Sequence, residues 1–176
     1  MVFTIKTIRT ARSDKELFDK LTAELTRRVP IELHDDLDLF VEELQSLPPG
    51  LRAMAATFKL DVSMALDDLG WHFANFHHRE YCNETSRGLW ELEAEEVAQI
   101  FDKAYELVLP YWDQISDMLA VEFPVFSDWY RDSDLDKALS PLNRRLWDIC
   151  EESPEFGLMR FWLEHAREHP ERCVDS

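Results

Sequence analysis

The segment Asp67–Cys82, DDLGWHFANFHHREYC, gathers His72, His77 and His78 beside Asp67, Asp68, Glu80 and Cys82. Imidazoles and carboxylates at this density are the raw material of a metal centre or of an acid–base pair. Spacing decides between them. On a helix turning about 100° per residue, Leu69, Phe73 and Phe76 define a core face, and Asp67, Trp71 and His78 point roughly the opposite way. His77 lies between these faces and His72 at the stripe's edge, so the three imidazoles diverge and one ion does not collect them. What remains is a column of Asp61, Asp68, His72, Asn75 and Arg79. Asp68 and His72 stand i,i+4, the spacing at which a carboxylate orients and charges an imidazole. The column reads either as an acid–base pair at a groove edge, with Asn75 and Arg79 holding an anion or amide, or as a polar seam between helices.

A second constellation is HAREH at His165–His169, which fits H-x-x-E-H. That pattern places two histidines one helical turn apart on a metal, with Glu168 as the base. Pro170 ends the helix at once and seven residues follow His169, so an acidic third ligand would have to come from earlier in the chain. The competing reading is a solvated helix with positive side chains near its carbonyl end. The sequence contains no GxGxxG, P-loop, GxSxG or EF-hand loop. Cys82, Cys150 and Cys173 are widely spaced and form no CxxC, which fits a reducing cytoplasm rather than a disulfide framework or zinc knuckle. The opening MVFTIKTIRTARS lacks the apolar stretch of a secretory signal.

The elements that must carry these residues read as helices. Ser13 and Glu16 fit a capping box ahead of Leu17, Leu21 and Leu25. A short acidic helix over 35–47 stops at Pro48–Gly50. A central long helix over about 50–79 follows, with Leu51, Met54, Phe58, Val62, Leu66, Leu69, Phe73 and Phe76 in one stripe. CNETSRG reads as a loop. A second stripe from Ala94 to Leu119 keeps its phase across Pro110, and shorter segments bounded by Pro124, Ser133, Pro141 and Pro154 complete the chain. The alternation in FTIKTI fits a short N-terminal strand, although no second strand is present to pair with it. The expectation is one all-α domain spanning 1–176, a bundle of six to eight helices.

Charge is the strongest global feature. With 36 acidic and 19 basic side chains the chain carries a formal −17. Residues 1–28 hold seven basic against four acidic groups, leaving 12 against 32 for the rest. Such a field repels nucleic acid and anionic membrane and steers basic partners inward. Asp35, Asp38 and Glu42 form one expected ridge, Glu95, Asp102 and Glu106 another, and Asp128, Asp132, Asp134 and Asp136 a dense corner.

With that surface, DDLGWHFANF and the later ELEAEEVAQIFDKAYELV, the sequence resembles the acidic helical family grouped around a bacterial DNA-mimic protein, over about residues 60–108. Gly70–Trp71 matches its glycine–aromatic step, and Ala98, Phe101 and Ala104 its second helix. The resemblance implies surface carboxylates that stand in for DNA phosphates and occupy a basic DNA-binding partner. The leading expectation is therefore a non-catalytic, cytoplasmic interaction protein without a cofactor, binding a basic protein as a DNA mimic or inhibitor, and contacting neither nucleic acid nor membrane directly. The alternatives are a metal-dependent hydrolase using His165, Glu168 and His169, an acid–base site at Asp68 and His72, or a helical scaffold subunit.

Overall fold

A computed structural model describes residues 3–175, and no strand occurs among them. The chain runs through α1 (Ile5–Arg9), α2 (Asp14–Arg28), α3 (Leu37–Leu44), α4 (Pro49–Leu66), α5 (Leu69–Asn75) and α6 (Arg79–Glu91). It continues as α7 (Glu95–Val108), α8 (Trp112–Val121), α9 (Phe123–Tyr130), α10 (Asp134–Glu151) and α11 (Arg160–Glu168), with short 3₁₀ turns between. The all-α class is as expected. The segments outnumber the expected helices because the Asp68 cap and a 3₁₀ turn at Pro110 divide the two long apolar stripes.

FTIKTI is helical rather than a strand. Thr4 caps α1, exchanging side-chain and backbone bonds with Thr7, and Ile8 is buried. The central helix over 50–79 is also not continuous. Asp67 leaves the helical region, and the Asp68 carboxylate caps a new helix by accepting from the Trp71 N–H at 3.1 Å. A carboxylate that satisfies an orphan N–H makes a restart cheaper than continuation. The expected CNETSRG loop lies inside α6, where Gly88 lets α4 and α6 approach closely. A Cβ there would meet the Ala53 carbonyl oxygen at 3.0 Å. Pro141 sits within α10 without ending it. At Pro110 the stripe does divide, into α7 and α8 joined by a 3₁₀ turn.

Helix α4 is shared by two apolar clusters. Leu60 and Met64 join Phe73, Phe101, Phe126 and Leu146, whereas Leu51 and Met54 pack with Leu17, Leu21, Phe40 and Trp162. Several buried polar groups are paired across these interfaces. Tyr81 Oη and Thr85 Oγ1 both donate to the Ala56 carbonyl, and Trp162 Nε1 donates to Thr57. Glu84, only 3% exposed, takes a two-pronged bond from Arg52 at 2.8 Å and a further ion pair from Arg87. Gly157, at φ +54°, turns the chain so that Asp61 accepts from the Leu158 N–H at 2.6 Å.

Candidate partner-binding surface

The break at Asp67–Asp68 resets the helical phase and disperses the expected column. Asp61 is spent on the Leu158 turn and Asp68 on the α5 cap, where the Tyr130 hydroxyl also donates to it at 3.3 Å. Arg79 opens α6 with its guanidinium 4.9 Å from the centre of the Trp112 ring. His72 turns inward and is fully buried. Because Ser63 gives its proton to the Lys59 carbonyl, His72 Nδ1–H must donate to Ser63 Oγ, at 2.9 Å. Its Nε2 has no partner, and burial pushes its pKa down to about 3. Asp68, raised above the usual carboxylate range by burial, does not bond His72. The geometry is that of the polar seam.

The other two histidines also go separate ways. His77 stacks on Trp112 with centroids 3.9 Å apart. His78 caps α6: its Nδ1 accepts from the Tyr81 N–H at 3.1 Å, so its Nε2–H donates to Asp38 at 2.9 Å. In HAREH, His165 is buried with its Nε2 3.6 Å from Glu91, while His169 is half-exposed and bonds Glu93 at 3.1 Å. The trio His165, Glu168 and His169 of the alternative metal reading is therefore not the set whose ligand atoms converge. Glu93, Glu168 and His169 offer ligand atoms within 4.8 Å of one another. Glu93 lies more than 70 residues from the motif, so no local spacing could have flagged it.

A cavity of about 250 Å³ opens among Leu25, Val29, Phe40, Phe58 and Trp162, apolar apart from Thr22, Thr26 and His34. It presents no convergent catalytic groups. The polar character of the molecule is outside, on the helices.

Glu95, Asp102 and Glu106 all lie on α7, whose opposite face buries Val97, Ala98, Phe101 and Ala104. Glu95 has no ion pair among the described residues, and Glu106 meets Lys103 at 3.1 Å. Asp102 is half-buried and accepts from Ser86 Oγ and Trp90 Nε1, which fixes its direction. The ridge expected from Asp35, Asp38 and Glu42 is split. Asp35 belongs to the 3₁₀ turn before α3, and only Asp38 and Glu42 share a helix. Asp128, Asp132, Asp134 and Asp136 gather where α9 hands over to α10. Asp132 there adopts φ +62°, and its N–H donates to Asp136 at 3.1 Å. Asp113 and Asp117 on α8 are exposed as well. Of the ten carboxylates in the expected rows, Asp35, Glu42, Glu95, Asp102, Asp128, Asp132 and Asp136 have no cation within ion-pair distance among the described residues.

Helix geometry sets what such rows can do. Carboxylates four residues apart advance about 6 Å along the axis, against roughly 1.7 Å of axis per charge for duplex DNA. One ridge has about a quarter of that density, so several rows on neighbouring helices are needed to resemble a duplex. Helices α7 to α10 supply several.

An acidic, all-helical protein whose exposed carboxylates stand on packed, mutually braced helices is thus defined by fold and surface together. A family model described as DMP19-like protein matches residues 45–169, and the chain belongs to that family, the DNA-mimic family its sequence resembles. No curated protein and no solved structure matches the chain. No helix among the described residues is long and apolar enough to cross a membrane.

Proposed function

We propose that this protein binds a basic, DNA-binding protein through the carboxylates of α7 to α10, occupying the partner's DNA site as a mimic and so inhibiting it. The observation that carries the reading is that the family-matched region, 45–169, contains α7 and the Asp128–Asp136 corner, with most of their carboxylates free of cations among the described residues. Chemistry at the surface is then electrostatic. A partner's lysines and arginines exchange their counterions for carboxylates, and affinity falls steeply with salt, as it does on DNA. The bidentate Arg145–Glu96 pair, at 2.6 and 2.8 Å, ties α10 to α7 and holds the rows in register. Rigid placement matters because ordering loose side chains on binding costs affinity.

The test is capture of partners from native-host lysate on the immobilised protein, eluted in parallel by a salt gradient and by duplex DNA. A basic DNA-binding protein should be released by both. It should be retained less well, with a shallower salt dependence, by a Glu95→Gln/Asp128→Asn/Asp132→Asn variant. Absence of any basic protein on the column at low salt would overturn the reading.

A further inference from the structure

Two observations at the end of α11 are left over from the acidic surface. The first is the convergence of Glu93, Glu168 and His169, brought together from the α6–α7 corner and the α11 terminus. One imidazole and two carboxylates from separate elements form a donor set that suits a borderline divalent ion such as zinc or cobalt. The second is His165. It is 3% exposed, and neither ring nitrogen has a hydrogen-bond partner. Buried imidazole nitrogens left unbonded cost stability and call for an explanation.

The ring of His165 lies against that of His169 with centroids 5.1 Å apart. Two imidazoles on one tetrahedral ion, with metal–nitrogen bonds of about 2.0–2.1 Å, bring their ring centres to roughly 5 Å. The i,i+4 spacing that HAREH provides is thus realised in space.

We propose that Glu93, Glu168 and His169 form a site for one divalent transition-metal ion, with a rotated His165 as the fourth ligand, clipping the α6–α7 corner to the end of α11. The site is a structural clamp, and no hydrolytic step is assigned to it. It is separate from the carboxylate rows, so its failure and that of the partner-binding reading are told apart by different measurements.

The experiment is titration of the untagged, metal-stripped protein with Co²⁺, followed by visible absorption, and then with Zn²⁺ as competitor. One equivalent of Co²⁺ should give a saturable tetrahedral spectrum that zinc abolishes. Glu93→Gln and His169→Ala alter an exposed and a half-exposed side chain and should fold. Each should weaken binding at least about tenfold, since even groups that only orient a ligand are worth 10–100-fold. His165→Ala should move the spectrum away from tetrahedral. No saturable uptake, or affinity unchanged in both Glu93→Gln and His169→Ala, would overturn the proposal. A His165→Ala spectrum identical to that of the parent would remove the fourth ligand from it.

Discussion

Replacing Gly70 by alanine puts a methyl group where the Tyr130 ring already lies. A Cβ at Gly70 would fall within the ring's van der Waals envelope, with even the third-nearest atom, Cε2, only 2.6 Å away. The ring has little room to withdraw. It is buried, it stacks on Phe126 with centroids 5.4 Å apart, and its hydroxyl donates to Asp68, the α5 cap. At an ordinary helix-interior site the same change gains about 1 kcal/mol from propensity. Here overpacking costs about 1–3 kcal/mol, and loss of a bond to a charged carboxylate costs about 1.5–3 kcal/mol. The expected net is a destabilisation of about 1.5–5 kcal/mol, which for a chain of this length lowers Tm by roughly 3–20 °C. Urea unfolding followed by circular dichroism reads it as a lower midpoint at unchanged slope. Tyr130→Leu removes the obstructing ring atoms, so the double variant should be less unstable than the two single losses combined, by about 1 kcal/mol or more. A Gly70→Ala protein as stable as the parent, or strictly additive losses, would refute the reasoning. The point bears on the proposed binding surface because α5 packs against α9 through Gly70 and Tyr130, beside the acidic corner at Asp128–Asp136.

Acid sensitivity should trace in part to His72. The unfolded imidazole takes a proton near pH 6.5 while the buried one resists until about pH 3, so the unfolded state binds more protons in that window and stability falls as pH drops through it. The slope is about 1.4 kcal/mol per pH unit. Asp61 and Asp68, raised by burial, act with the opposite sign as they protonate. Stability of His72→Leu should therefore vary less than that of the parent between pH 6.5 and 5, and parallel profiles would contradict this. Arg52→Ala leaves Glu84 with Arg87 and a long bond from Gln45, and should cost about 2 kcal/mol in urea unfolding, less than the roughly 3–5 of a fully buried pair because both arginines reach solvent. Burial raises the thiols of Cys82 and Cys173 to about 12 and that of half-buried Cys150 to about 11. Native alkylation at pH 8, followed by mass spectrometry, should therefore mark Cys150 first, and faster labelling of either other cysteine would count against the packing described.

The sequence by itself determined the helical class, the apolar faces of α2, α4 and α7, the acidic surface and the family. All of these rest on composition or on periodicity within one element, which needs no knowledge of what packs against it. Tertiary structure decided the rest. Whether Asp68 pairs with His72 or caps a new helix depends on the break at Asp67, and Tyr130, 62 residues away in sequence, bonds that same carboxylate. FTIKTI alternates like a strand, yet with no strand to pair with it satisfies its backbone as a capped helix. Glu93 meets His169 only because the α6–α7 corner folds over the end of α11. Local chemistry is written along the chain, whereas the partner of a buried polar group is set by long-range packing, because burial removes water and leaves only what the fold brings near.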